Sequence, residues 1–330
     1  MGRLIDGAWS EQWHDTAATG GAFVRAEASF RNWITADGAP GPTGEGGFAA
    51  ESGRYHLYVS HACPWAHRAL IFRKIKGLDA HISVDAVHPD MLGEGWSFGA
   101  DFPGATGDSL FGSRFARDIY LRETPDMTGR VTVPILWDKV RGRIVSNESS
   151  EIIRMFDHAF AALTGDASTH RPVDLQPEID ALNARIYDTV NNGVYKAGFA
   201  TTQAAYDGAV HPLFDTLEML EDRLSRARHL TGARITEADW RLFTTMVRFD
   251  AVYHGHFKCS IKRLVDLPNL WGWTRDLYQR PGVAETVHLD HIRRHYHYSH
   301  ETINPHRIMP APALIDFAAP HDRARLVAAA

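Results

Sequence analysis

A mixed α/β half followed by an all-helical half is the architecture this chain encodes, and three patterns carry that reading. Strand and helix signals alternate from Arg54 onward, two apolar runs between Val131 and Val145 can pair as a hairpin, and beyond Pro177 only helical spacing remains. The expected organisation is an N-terminal extension over 1–53, an α/β domain over 54–163, an all-helical domain over 177–300 and a tail over 301–330.

The extension carries Trp9, Trp13, Phe30 and Trp33, then a glycine- and proline-rich run from Gly38 to Gly47. That run lacks the Gly-Lys-Ser/Thr ending of a phosphate loop, so it reads as a turn-rich connection lying on a core. Tyr55-His56-Leu57-Tyr58-Val59 then alternates as a strand, 64–76 reads as a basic helix with apolar spacing, and 82–87 is a second strand. Together they make a βαβ unit. The stretch 88–129 is longer than an ordinary connection and rich in Gly, Phe and Asp, so part of it, including Trp96, is expected to be a functional loop.

Val131 to Trp137 and Arg143 to Val145 follow as strands, with a turn around 139–142. Pro134 inside the first of them cannot donate to a ladder and calls for an edge position, a bulge or a cis bond after Val133. Ser146-Asn147-Glu148-Ser149 precedes the apolar-spaced Ile152, Ile153 and Phe156, as an N-cap does, and leaves amides open to an anion. In the second half Ile179, Leu182, Ile186 and Val190 step by three and four, as do Val210, Leu213, Leu217, Leu220 and Leu224. Thr236 with Asp239 three residues on marks another helix start.

The chemistry concentrates in Cys63-Pro64-Trp65-Ala66-His67-Arg68. Pro64 suits the first helical position, so Cys63 falls at the helix N-terminus. Open amides and the positive end of the helix dipole favour thiolate there, lowering a thiol pKa from about 8.5 to roughly 3.5–7.5. Ala66 stands where a dithiol motif needs its second cysteine, so any redox cycle is monothiol. Cys259, the other cysteine, reads as a core residue. His67, one turn beyond the thiol, shares its helical face and could pair with it, but reads as a packing or hydrogen-bonding residue, since the helix terminus already accounts for thiol activation.

Composition excludes several classes. A 330-residue chain with 44% hydrophobic and 11% aromatic residues is globular, and its net charge of −5 gives no electrostatic footprint for nucleic acid or an anionic membrane. No apolar run approaches the roughly 18 residues that span a bilayer. With two cysteines and no signal-like N-terminus, a reducing compartment, the cytoplasm, is expected. His254, His256 and Cys259, and also His288, His291, His295, His297 and His300, invite a metal reading, but they lack paired cysteines or an acidic partner at ligand spacing, and no metal is expected.

The helix-start Cys-Pro, the Val-Pro in a strand, the Glu-Ser before a helix and the Thr-Glu-Ala-Asp cap together resemble the glutathione transferases, whose thioredoxin-like domain precedes a helical bundle. Cys63 to Arg68, Gly129-Arg130-Val131-Thr132-Val133-Pro134, Asn147 to Arg154, Asn191 to Phe199 and Thr302-Ile303-Asn304-Pro305 are more specifically similar to the glutathionyl-hydroquinone reductases, the Xi class. The resemblance implies glutathione as cosubstrate and glutathionylated hydroquinones as substrates. It implies Cys63 as catalytic thiol, Trp96, Arg130, Val133, Glu148 and Ser149 around glutathione, and Tyr195, Tyr253 and Tyr296 at the hydroquinone. By analogy it also implies a homodimer active in quinone detoxification.

Two other functions share part of this pattern. An Omega-type thioltransferase or dehydroascorbate reductase would use Cys63 without needing the tyrosines. A non-catalytic binding module of the same fold would have no use for an activated thiol. A Cys-His hydrolase is disfavoured, since its histidine and orienting amide have no recognisable context.

Overall fold

The structure, a computed structural model, describes residues 2–326. Residue 1 of the expected extension and residues 327–330 of the expected tail lie outside the described residues. The chain divides into two compact units, the first made of Met1–Trp13, Ala26–Ser168 and Asp290–His295, the second of His14–Arg25, Thr169–Leu289 and Tyr296–Ala330.

In the first unit, β1 (Arg3–Ile5) and β2 (Ala8–Ser10) form an antiparallel ribbon, and Leu4 exchanges backbone hydrogen bonds with Gly129 at 2.9 and 3.0 Å. The central sheet contains β3 (Tyr55–Val59), β4 (Ile82–Ala86), β7 (Ile135–Asp138) and β8 (Arg143–Ser146), in the spatial order β4-β3-β7-β8. Strands β3 and β4 are parallel, and α1 (Pro64–Ile75) supplies the crossover such a pair requires. The pairings of β3 with β7 and of β7 with β8 are antiparallel. All five residues of β3 are buried, because the strand lies inside the sheet. His56 is accommodated there by Asp85, whose Oδ2 lies 3.2 Å from its Nε2, and by Ser83, whose Oγ lies 2.7 Å from its Nδ1.

The long connection after β4 holds a small hairpin, β5 (Met91–Leu92) and β6 (Gly95–Trp96), and then α2 (Ala116–Glu123). The strand expected over 131–137 is shorter than its apolar run. It starts at Ile135, directly after a cis Val133–Pro134 bond, since Pro134 has no N–H to offer the ladder. Helix α3 (Ser149–His158) follows β8 with Glu148 as its N-cap, and α4 (Ala161–Thr164) ends on the left-handed Gly165.

The second unit is helical, as the spacing predicts. Helix α5 (Gln176–Ile186) runs into a π-helical turn, Tyr187–Asn191, and then into α6 (Gly193–Gly198). Ile179, Leu182, Ile186 and Val190 are all buried along this path. Helix α7 (Gln203–Arg226) buries Val210, Leu213, Leu217, Leu220 and Leu224 on one face. Helix α8 (Glu237–Arg248) passes into a second π-helical turn, Phe249–Tyr253, and α9 (Pro268–Tyr278) follows. The start of α8 is tied by Asp239, which accepts from the Thr236 amide at 2.9 Å and hydroxyl at 3.1 Å, the Leu230 amide at 2.9 Å and the Trp273 indole at 3.0 Å. Helix α10 (Leu289–Ser299) contributes Asp290–His295 to the first unit and Tyr296 onward to the second.

Candidate active site

Cys63 is the N-cap of α1, with Pro64 at the first helical position. Its carbonyl accepts the His67 amide at 3.0 Å, the first helical bond, while its own amide donates to Ser60 at 3.1 Å. The side chain makes no capping bond, so the half-buried sulfur sits at the open, positive end of the helix, where a thiolate is favoured. His67 is fully buried.

Across from the thiol stands the turn before β7. Cys63 Sγ lies 3.5 Å from the carbonyl oxygen of Val133, whose bond to Pro134 is cis. That turn is held from below by the fully buried Tyr120, which donates to the Thr132 carbonyl at 2.8 Å and accepts from Asn147 Nδ2 at 3.1 Å. The side chain of Asn147, one residue before Glu148, thus braces the same turn.

At the α3 start the Glu148 carboxylate takes the Ser150 amide at 2.9 Å and hydroxyl at 2.7 Å, both on Oε1. Ser149 is buried, with its Oγ 3.4 Å from Arg68, whose guanidinium lies 4.6 Å from the Trp65 ring centre. Glu151, in the first turn, pairs with Arg31 of the extension. The helix therefore opens with carboxylates beside the positive end of its dipole, a place that suits a zwitterionic ligand carrying both an amine and a carboxylate.

Trp96 is buried in β6 and stacks on His295 with ring centres 4.8 Å apart. Arg130 donates to the carbonyls of Gly2 at 3.1 Å and Gln12 at 2.9 Å, and its guanidinium lies 5.6 Å from the Trp13 ring. Burial, then the nearby Arg3, lowers its proton affinity. The N-terminal extension thus builds the surroundings of Arg130.

In the second unit the three tyrosines singled out from the sequence come together. The Tyr296 hydroxyl lies 2.6 Å from that of Tyr195 and 2.9 Å from that of Tyr253. Tyr253 and Tyr296 are fully buried, and Tyr195 is partly exposed. Burial, with Tyr195 as the next contributor, pushes both buried phenols well above the usual tyrosine range, and Arg248 acts in the opposite direction. Tyr253 closes one π-helical turn, and Tyr195 follows the other within α6. Such turns displace a side chain from ordinary helical register and are frequent at functional sites.

Several neighbours of these residues were not singled out from the sequence. Arg25 places its guanidinium 4.9 Å from the Tyr195 ring centre and donates to Asn192 Oδ1 at 2.8 Å. Phe257 packs against Tyr195, Tyr253 and Tyr296 at 5.4–5.5 Å. In the sequence His295 stands out only as one of several histidines near the C-terminus. Cys259 is buried, with burial raising its thiol far above the usual range. His291 and His295 face the carbonyls of Pro103 and Pro89 at 2.6 and 2.9 Å, and His256 faces His300 at 3.1 Å.

Residues 62–159 match the family model of the glutathione S-transferase N-terminal domain, and residues 203–276 that of the C-terminal domain. The glutathionyl-hydroquinone reductase YqjG of Escherichia coli is 59% identical over 98% of this chain and 98% of its own. Its glutathione-bound structure superposes with a TM-score of 0.91 at 57% identity, covering 98% of this chain and 99% of that one. The glutathionyl-hydroquinone reductase PcpF of Sphingobium chlorophenolicum is 50% identical over 94% of this chain and 96% of its own. A Xi-class glutathione transferase from Natrialba magadii superposes with a TM-score of 0.90 at 45% identity, covering 99% of this chain and 97% of that one.

Proposed function

The chain belongs to the glutathione transferase family, among its Xi-class glutathionyl-hydroquinone reductases, and from that premise we propose how its residues divide the reaction. It is a glutathione-dependent oxidoreductase that reduces glutathionyl-hydroquinones to hydroquinones.

The thiolate of Cys63 attacks the glutathione sulfur of the conjugate. The carbon–sulfur bond breaks with its electron pair going to the ring carbon, which takes up a proton and leaves as hydroquinone. Cys63 is left disulfide-bonded to glutathione. A second glutathione thiolate then attacks the glutathione sulfur of that disulfide, releasing glutathione disulfide and restoring Cys63. The net change converts conjugate and glutathione into hydroquinone and glutathione disulfide, and the balance needs no metal.

Glutathione is assigned to the thioredoxin-like portion, 54–163. Its backbone pairs with Val133, its γ-glutamyl end meets Glu148, Ser149 and the α3 amides, and Trp96 and Arg130 complete the site. The aromatic group is assigned to the helical portion, 177–300, with 1–53 and 301–330 as flanking segments. Tyr195, Tyr253 and Tyr296 hold the phenolic oxygens and supply the proton that the ring carbon needs. A homodimer acting in the cytoplasm in quinone detoxification completes the reading. Among the described residues no helix is long and apolar enough to cross a membrane.

The observation that carries this assignment is a sulfur at an uncapped helix start, 3.5 Å from the carbonyl that precedes the cis Pro134. Its test is mass spectrometry after exposure to a glutathionyl-hydroquinone without free thiol. A single glutathione adduct on Cys63, with one equivalent of released hydroquinone, is the expected result. A Cys63→Ser variant with full turnover would overturn it.

A further inference from the structure

The segment that carries Trp96 is clipped by one face of α10 at three points flanking the β5–β6 hairpin, Pro89 and Asp90 before it and Pro103 after it. His291 Nε2 lies 2.6 Å from the Pro103 carbonyl oxygen, Arg294 pairs bidentately with Asp90 at 2.7 Å on each arm, and His295 Nδ1 lies 2.9 Å from the Pro89 carbonyl oxygen. Positions three and four apart share a helical face, so these side chains reach the same loop together. His295 does more than clip. A carbonyl only accepts, so Nδ1 carries the proton in that contact, and the bond fixes the plane of the imidazole. In that plane the ring lies 4.8 Å from the Trp96 ring, tilted by only 22°. Both side chains are buried, so neither ring can turn without displacing the other.

We propose that His295 is a positioning residue for glutathione: it acts by holding the indole of Trp96 in the orientation that receives the tripeptide. The proposal rests on the assignment of Trp96 to the glutathione site. It goes beyond that assignment by giving α10 a role in glutathione affinity. The Arg294–Asp90 pair holds the hairpin near the helix, and the stack sets the ring. Because Tyr296 follows directly in sequence, one helix carries both the residue that sets Trp96 and a member of the tyrosine cluster.

The test measures glutathione binding to the reduced full-length protein by calorimetry in five forms: native, His295→Leu, His295→Phe, Trp96→Ala and the His295→Leu/Trp96→Ala double variant. Leucine keeps the apolar bulk and removes the stack, so His295→Leu is expected to weaken glutathione about three- to tenfold, the range of an aromatic pair. His295→Phe keeps a ring against Trp96 and is expected to recover most of that loss, which guards against a variant that merely folds poorly. In the Trp96→Ala background, His295→Leu is expected to add nothing further, because its effect passes through the indole. If Trp96→Ala weakens glutathione while His295→Leu does not, or if the two losses simply add, the positioning role is wrong. If Trp96→Ala itself leaves affinity unchanged, the assignment of Trp96 falls, and the proposal falls with it.

Discussion

The hydroxyls of Tyr195 and Tyr296 stand 2.6 Å apart, joining a partly exposed phenol to a fully buried one. The Tyr253 hydroxyl also lies 2.9 Å from that of Tyr296, closing a cluster of three phenols. A proton offered by one hydroxyl can be replaced through the cluster. Tyr296→Phe removes the hydroxyl that contacts both other phenols and is expected to lower kcat on a glutathionyl-hydroquinone about a hundredfold, the low end of general-acid contributions, while leaving glutathione affinity unchanged. Burial keeps both inner phenols protonated well above the usual range, so kcat should show no alkaline loss from their ionisation up to about pH 10. Steady-state rates across pH, beside calorimetric binding of glutathione, check both outcomes. A Tyr296→Phe enzyme with native kcat would remove the tyrosines from the chemistry.

The thiol makes a separate prediction. With Cys63 at an uncapped helix start, its alkylation by iodoacetamide should already be rapid below pH 7, and glutathione should slow it. The rate should follow a titration with midpoint in the range of roughly 3.5–7.5 that such sites give. Cys259 should stay unmodified while the protein is folded, since it is buried and its thiol is held protonated. Peptide mapping after brief alkylation separates the two cysteines. A midpoint near 8.5 for Cys63 would mean that the helix start does not activate it.

How far such features could be read in advance depends on how local their causes are. Cys63 and Pro64 declare the start of α1 by themselves, because a proline at the first helical position and the residue before it obey rules of a few neighbouring atoms. The strand Tyr55–Val59 and the buried steps of α7 are equally local. The strand around Pro134 is shorter than its apolar run because proline breaks the ladder, an effect whose exact boundary depends on the partner strand. The tyrosine cluster is different in kind. Its members are 101 and 43 positions apart, and no spacing rule connects them, so only resemblance to a family suggested them. Arg25 and His295 were missed for the same reason. Their significance lies in the rings they meet, Tyr195 and Trp96, which come from distant parts of the chain.

Asp239 gives a prediction about stability alone. Fully buried, it accepts four hydrogen bonds, from the Thr236 amide and hydroxyl, the Leu230 amide and the Trp273 indole. Asp239→Ala leaves several buried donors without an acceptor, and is expected to destabilise the protein by on the order of 3–5 kcal/mol. Thr236→Ala removes the hydroxyl's contacts with Asp239 and Thr231 and the cap preference but leaves the carboxylate in place, and should cost about 1 kcal/mol. Urea unfolding followed by circular dichroism ranks the two. Equal losses would show that the carboxylate is not the hub of this helix start.

Part of the acid sensitivity should trace to Asp85. Burial alone would raise its pKa, but hydrogen bonds from His56 and from the amide and hydroxyl of Ser109 outweigh burial and hold it at about 2, below the ordinary 3.8. A carboxyl whose pKa is depressed by folding stabilises the fold above its unfolded value and loses that contribution as pH falls through the folded value. Here the window runs from about 3.8 down to about 2, and the contribution at stake is on the order of 2 kcal/mol. Asp85→Asn is expected to be less stable than native at neutral pH, because an amide cannot replace the charge-assisted bonds. Between pH 4 and 2.5, approximate limits taken from that window, its melting temperature should fall less steeply than the native one. Thermal melts of both proteins across that interval decide the point, and parallel curves would show that Asp85 has no share in the acid response.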